Sequence, residues 1–156
     1  MLYNPWAGGG IGVKTDDLLI EPVSDDLVCV RPAHSMWPAT ASVYVVIDAG
    51  GFSLIDVGCG GPGAVQRLRT GLNSLGLDLA SLRTVVLSHA HPDHMGGAEM
   101  LLSGLRPSVL IHRDDFDHAR NPDGLTRTFD IDLARRLYGK AEGPVSDLFS
   151  FFDRSG

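Results

Sequence analysis

Short apolar runs separated by turn residues dominate the first part of the chain. Runs of this length, rich in β-branched residues and bounded by glycine, proline and aspartate, are typical of β-strands. The pattern predicts six strands, at residues 18–23, 27–30, 42–48, 52–56, 82–87 and 109–111. The third and fourth strands flank Ala49-Gly50-Gly51, which predicts a hairpin between them.

Between this hairpin and the next strand, apolar residues recur at spacings of three and four, as one buried helical face requires. These residues are Ala64, Val65, Leu68, Leu72 and Leu75. They predict a helix over residues 64–75, which Gly76 is suited to end because glycine accepts a left-handed cap. Further helices are predicted at 98–105, before Pro107, and at 130–138. Strand pairs followed by alternating helices and strands indicate an α/β layered domain.

Composition narrows the class of protein. A chain of 156 residues, 44% hydrophobic and 21% charged, fits one globular domain with a sizeable core. We divide it into an irregular arm, residues 1–17, and a domain over residues 18–156. A net charge of −6 argues against nucleic acid as the main partner, because phosphate binding favours a basic surface.

Cysteine usage and hydropathy bear on the compartment. Cys29 and Cys59 do not make a disulfide framework, which indicates a cytoplasmic protein. The first twelve residues lack the basic and apolar regions of a secretory signal. No apolar run approaches the ~20 residues that cross a bilayer, so no membrane association is expected.

Three histidines and a carboxylate fall within six residues directly after the strand at 82–87. Imidazole and carboxylate are the side chains that hold zinc, iron or manganese in catalytic sites. In an extended backbone alternate side chains point the same way, so His89 and His91 can reach one metal ion. Asp93 and His94 fall on the turn into the next helix, where they can address a second ion. The alternative is a surface histidine cluster that caps the strand.

Three pieces of the sequence carry a resemblance to a known family. They resemble the metallo-β-lactamase fold superfamily of metal-dependent hydrolases. The pieces are the hairpin strand that ends Ser53-Leu54-Ile55-Asp56-Val57-Gly58, the helix after it, and the segment Val86-Leu87-Ser88-His89-Ala90-His91-Pro92-Asp93-His94-Met95-Gly96-Gly97. Within it, the sequence is most similar in character to glyoxalase II-like members. The resemblance covers roughly residues 18–120 and implies the αββα sandwich of that family.

The resemblance also implies roles for individual residues. His89 and His91 would hold the first zinc ion, and Asp93 with His94 would help to hold a second; iron or manganese are the other candidate metals. Asp56 would orient the ligands through hydrogen bonds without touching an ion, or would merely bond amides of its own turn. Metal-activated water would attack an ester, thioester, amide or phosphate centre of a small-molecule substrate. Asp93 would also orient that water.

The chain departs from the family in one respect. Family members consist of two similar halves that face each other, and the second half supplies further ligands, including a histidine after glycine. This chain has no histidine after His118, and neither His112 nor His118 follows glycine, so neither is expected to be a ligand. We therefore expect the chain to represent only the amino-terminal half of the fold. Self-association or a complementing second half would then cover the exposed sheet face.

Two other functions remain open at this point. The chain would serve as a non-catalytic remnant if it binds only metal or a partner. It would serve as a mononuclear iron oxygenase if His89 and His91 alone held iron.

Overall fold

The computed structural model describes residues 13–14, 18–32, 41–60 and 62–120. These residues form one seven-stranded sheet whose strands lie side by side in the order of the sequence. The strands are β1 (Val13–Lys14), β2 (Leu18–Pro22), β3 (Leu27–Pro32), β4 (Val43–Asp48), β5 (Gly51–Ile55), β6 (Leu82–Leu87) and β7 (Ser108–Ile111). Neighbours from β1 to β5 are antiparallel, whereas β5, β6 and β7 are parallel.

Helical connections explain the change of direction, because a parallel pair needs a crossover whereas a tight turn suffices for an antiparallel pair. The crossover from β5 to β6 contains α1 (Pro62–Ser74) and a short 3-10 turn, Leu79–Ser81. The crossover from β6 to β7 contains α2 (Pro92–Met95) and α3 (Ala98–Leu102). The helix α4 (Phe116–Arg120) follows β7.

The core lies between α1 and one face of the sheet. Val65, Leu68 and Leu72 of α1 are buried, as the three-and-four spacing predicts, and so is Leu75 directly after the helix. The helix approaches the sheet closely at Gly71, where an added Cβ would lie within 3.2–3.3 Å of side chains of β2 and β3. Fully buried side chains include Ile20, Val45, Phe52, Leu54, Leu72, Val85 and Leu101.

The other face of the sheet carries an apolar row. Tyr44, Ile55, Val86 and Leu110 are successive register partners across β4 to β7, so their side chains share one face. Tyr44 is 38% exposed, Val86 37% and Leu110 54%. Within the described part of the chain, this row is therefore partly open to solvent.

Most sequence-based elements are confirmed, and the α/β layered fold with them. The strand at 82–87 matches β6, the hairpin joins β4 to β5, and α1 ends before Gly76, which adopts the left-handed φ of +72°. The helix predicted at 98–105 was too long. It ends at Leu102 because Ser103 leaves the helical region (ψ 122°) and Gly104 turns left-handed (φ +79°).

The amino-terminal arm differs from the expectation at one place. Val13–Lys14, inside the arm predicted to be irregular, pair with β2 as a short antiparallel strand. The domain boundaries at 1–17 and 18–156 stay predictions, and the helix predicted at 130–138 lies outside the described residues. Among the residues described, no helix is long and apolar enough to span a bilayer.

Candidate metal centre

The predicted site residues gather at one edge of the sheet. Asp56 directly follows β5, and the histidine segment directly follows β6. Because β5 and β6 are parallel neighbours, their carboxyl ends meet at the same edge, where open α/β sheets commonly bind ligands. This places side chains more than 30 residues apart in sequence within hydrogen-bond distance.

Backbone hydrogen bonds hold the two loops together. The carbonyl oxygen of His94 accepts from the amides of Val57 and Gly58, at 2.8 Å and 3.0 Å. The amide of Gly97 donates in turn to the carbonyl oxygen of Gly58 at 2.9 Å. Glycine is needed at 97, since an added Cβ would lie 3.0 Å from the carbonyl oxygens of Cys59 and Val57.

The three imidazoles form a cluster. The ring centroid of His89 lies 4.4 Å from that of His91 and 4.1 Å from that of His94. Oδ2 of Asp93, in the first turn of α2, lies 3.5 Å from Nε2 of His94. His89 and His91 are close to each other as predicted, but the prediction that an extended backbone aligns them was wrong. The strand ends at Leu87 and the chain bends over residues 88–90, so the two rings meet on a bent segment and not on an extended one.

Burial and like charge act on His89. Desolvation lowers the pKa of His89 below its ordinary value, and the neighbouring His94 and His91 lower it further. The carboxylates of Asp56 and Asp93 act in the opposite direction but do not reverse the shift. The neutral imidazole is the form that binds a metal ion.

Asp56 is buried, with 5% of its surface exposed, and its side chain contacts this cluster. Its Oδ1 accepts from the backbone amide of Ser88, and its Oδ2 accepts from the hydroxyl of Ser88 and from Nδ1 of His94, each at 2.8 Å. Asp56 also has a positive φ of 61°, a conformation that is uncommon for a residue with a side chain. Such strain persists where surrounding contacts hold the residue in place.

The donor set has the chemistry that zinc, iron or manganese require, namely imidazole nitrogen and carboxylate oxygen. Within the described ranges, no three histidine, cysteine, aspartate or glutamate side chains form a group that could hold an ion. The assignment of His89, His91, Asp93 and His94 as ligands stays a prediction.

Sequence reasoning missed two contributors. Ser88 contacts Asp56 through both its amide and its hydroxyl, and the amide of Ala41 donates to the carbonyl oxygen of Asp93 at 3.1 Å. A hydroxyl residue directly before the first histidine was the available signal for Ser88. No local signal in the sequence points to Ala41, because its contact depends on how β4 lies beside the histidine turn.

The remaining candidates have ordinary surroundings. His112 and His118 are exposed, as expected for histidines that are not ligands. Cys59 is buried, and desolvation together with the Asp93 carboxylate raises the pKa of its thiol to about 12, against a smaller opposing effect of Arg67. A thiol held neutral in this way is a poor nucleophile.

A shallow pocket borders the histidine turn. Its lining includes Ala41, Gly58, Cys59 and Arg67, and it therefore shares Ala41 and Gly58 with the hydrogen bonds that hold Asp93 and His94. The rest of its lining comes mainly from β2, β3 and α1, and His89, His91, Asp93 and His94 are not part of it.

Comparison with known proteins identifies the family. The sequence profile of the metallo-beta-lactamase superfamily matches residues 36–153, more than half of the chain. The chain belongs to the metallo-beta-lactamase superfamily. A comparison with curated protein sequences finds no match.

Solved structures of metallo-beta-lactamases share the fold. A HARLDQ-motif mutant of an enzyme from Cronobacter sakazakii is 22% identical, with a TM-score of 0.55. FEZ-1 from Legionella gormanii is 18% identical, with a TM-score of 0.55. MEM-A1, a subclass B3 enzyme from a soil metagenome library, is 23% identical, with a TM-score of 0.54.

These matches cover only part of this chain and of each solved structure. They cover 64–66% of this chain but only 35–36% of the neighbouring chains. The chain thus spans little more than a third of the length of the metallo-beta-lactamases to which it is similar. At these identities the likeness is one of fold.

Proposed function

We propose that this chain supplies the metal-binding half of a metal-dependent hydrolase. The observation that carries the proposal is the cluster of His89, His91 and His94 at the carboxyl end of β6, in which His94 bonds the buried carboxylate of Asp56. Membership of the metallo-beta-lactamase superfamily supports a hydrolase of this general kind.

The proposed metal is zinc, with two ions in a complete domain and iron or manganese as the other candidates. His89 and His91 would hold one ion, and Asp93 with His94 would hold the other. A bound divalent ion supplies an activated water, because it lowers the pKa of the water it holds to about 7. Asp93 would orient this water toward an ester, thioester, amide or phosphoester.

The proposed substrate is a small molecule. We also propose that a complementing second half covers the apolar row Tyr44-Ile55-Val86-Leu110. The row is exposed, it lies at the end of the strands where the site lies, and the neighbouring structures contain nearly three times the matched length. A cytoplasmic location is kept as a prediction, supported by the free and buried cysteines Cys29 and Cys59.

Zinc retention tests the proposal. We expect the purified chain to retain zinc, iron or manganese, and the double variant His89→Ala, His91→Ala to lose it. The matched control is His112→Ala, His118→Ala, which removes two exposed histidines outside the cluster and should leave the metal content unchanged. Equal metal content in the two double variants would contradict the site.

One observation favours a second function, a half-domain that binds metal or a partner without catalysis. No group of three ligands for one ion is present in the parts of the chain that the structure describes. Catalytic zinc normally has three protein ligands and a water. Hydrolysis of generic esters, thioesters or phosphodiesters by the metal-loaded chain, alone or with a co-expressed second half, would exclude this alternative.

A further inference from the structure

Ser88 connects the buried carboxylate of Asp56 to the first histidine of the cluster. Its backbone amide donates to Oδ1 of Asp56 at 2.8 Å, and its hydroxyl donates to Oδ2 at the same distance. The hydroxyl oxygen also lies 2.9 Å from Nδ1 of His89 and 3.3 Å from Nδ1 of His94.

The position of the Ser88 hydroxyl proton determines which ring nitrogen of His89 carries a proton. An ionised carboxylate only accepts hydrogen bonds, and a serine hydroxyl carries a single proton. That proton must lie between Oγ of Ser88 and Oδ2 of Asp56, because two oxygens 2.8 Å apart would otherwise repel each other. Oγ then offers only lone pairs to His89, so Nδ1 of His89 must carry a proton and donate.

The same carboxylate determines the form of His94. Nδ1 of His94 lies 2.8 Å from Oδ2 of Asp56, and it must therefore also carry a proton. In a neutral imidazole with a proton on Nδ1, the lone pair is on Nε2. Asp56 is thus the final acceptor for both rings, directly for His94 and through the Ser88 hydroxyl for His89.

We propose that Ser88 is a positioning residue of the metal site, which holds His89 in the Nδ1–H tautomer so that Nε2 presents the lone pair to the ion. Partners that bond the second nitrogen of a ligating histidine fix its tautomer and orientation. The inference rests on the proposed metal-binding function. The tautomer itself is a property of the metal-free chain and is measured separately.

The first measurement is long-range proton–nitrogen NMR of the metal-free 156-residue chain at pH 8, where an ordinary imidazole is neutral. We expect the Nδ1–H form of His89 in the wild type and in Ser88→Thr, and a shift toward the Nε2–H form in Ser88→Ala. The second measurement is zinc affinity by competition with a chelator. We expect a loss of roughly 10–100-fold in Ser88→Ala, and recovery to within about twofold in Ser88→Thr.

Ser81→Ala is the matched control. The hydroxyl of Ser81 donates to the carbonyl oxygen of Asp78 at 2.7 Å, in the 3-10 turn before β6, and its loss should change neither measurement. A His89 tautomer unchanged in Ser88→Ala, or a zinc affinity reduced equally by Ser81→Ala, would overturn the proposal. If Ser88→Ala does not fold, Ser88→Cys takes its place, because its thiol bonds weakly.

The two proposals fail in different ways. A wild-type chain that shows the Nδ1–H form but binds no zinc would contradict the proposed function. A wild-type chain that binds zinc while His89 is in the Nε2–H form would contradict the role of Ser88 alone.

Discussion

Gly60 and Gly96 bring the two loops of the metal centre into backbone contact. A Cβ added to Gly60 would lie 2.4 Å from the carbonyl oxygen of Gly96 and 3.0 Å from its carbonyl carbon. The obstructing atoms are backbone atoms, which cannot rotate away as a side chain can. The loop after β5 therefore fits the histidine turn only while residue 60 has no side chain.

Gly60→Ala is expected to displace the histidine turn. Overpacking of this kind lowers the free energy of unfolding by about 1–3 kcal/mol, and zinc affinity should fall with the displaced ligands. Denaturant titration and zinc competition measure the two effects. In the control Gly63→Ala, the added Cβ meets only the end of the Arg67 side chain at 3.4 Å, so stability should be unchanged or slightly higher. Equal stability of Gly60→Ala and the wild type would contradict the close contact.

Asp56→Asn is expected to weaken metal binding. Asparagine tolerates the left-handed backbone of residue 56, but its amide group presents a donor where Asp56 now accepts from Ser88 or His94. We expect zinc affinity to fall roughly 10–100-fold and the free energy of unfolding to fall by about 1–3 kcal/mol. Isothermal titration with zinc and denaturant titration measure these changes.

Asp48→Asn provides the control for that variant. Asp48 is an exposed carboxylate in the hairpin turn, where it accepts from the amide of Gly50 and pairs with Arg83. Its replacement should leave zinc affinity as it is. A drop in affinity of similar size in both variants would indicate a general effect of charge.

The thiol of Cys59 is expected to resist labelling in the folded chain. Desolvation raises its pKa to about 12, so the reactive thiolate is scarce at pH 8, and Cys59 is only 2% exposed. In Cys29→Ser, which leaves Cys59 as the single cysteine, we expect no reaction with Ellman's reagent until a denaturant is added. Rapid reaction of the native variant would show that the thiol is neither buried nor neutral.

Self-association is the alternative to a second half as the cover of the apolar row, and Leu110→Lys is expected to reduce it. Leu110 is 54% exposed on the edge strand β7, and a charge there opposes both sheet-edge pairing and burial of the row. Light scattering should report a lower mean mass than for the wild type at the same concentration. Val23→Lys is the control, since Val23 is 56% exposed but lies beyond β2, away from the row. A wild type that is monomeric at all concentrations would contradict self-association through this face.

Periodicity was enough to predict the main elements. The apolar spacing in α1 corresponds to its buried face, and the run at 82–87 corresponds to β6 residue by residue. Both signals are local, because a residue's burial repeats with the period of the element that contains it. The end of α3 was less predictable. Pro107 marks a limit beyond which the helix cannot continue, whereas Gly104, which ends it, has no obligatory conformation.

The hydrogen bonds of the site could be predicted only in part. Six residues of sequence sufficed to predict the cluster of imidazoles, because its members are neighbours along the chain. The contact between Asp56 and His94 joins residues 38 apart, and only the family resemblance indicated it. Nothing local predicted the positive φ of Asp56, and the position of Ser88 before the first histidine did not show that its hydroxyl bonds Asp56. Both depend on the parallel pairing of β5 with β6, which is a property of the whole sheet.

The carbonyl oxygen of His94 accepts two amide protons from the loop that follows β5. Main-chain atoms therefore anchor this turn independently of the imidazoles at 89 and 91. Exchanging an imidazole at 89 or 91 should leave the anchoring intact. The position of the turn and the chemistry of its side chains at 89 and 91 can therefore be altered separately. This makes the site suited to ligand replacement and redesign.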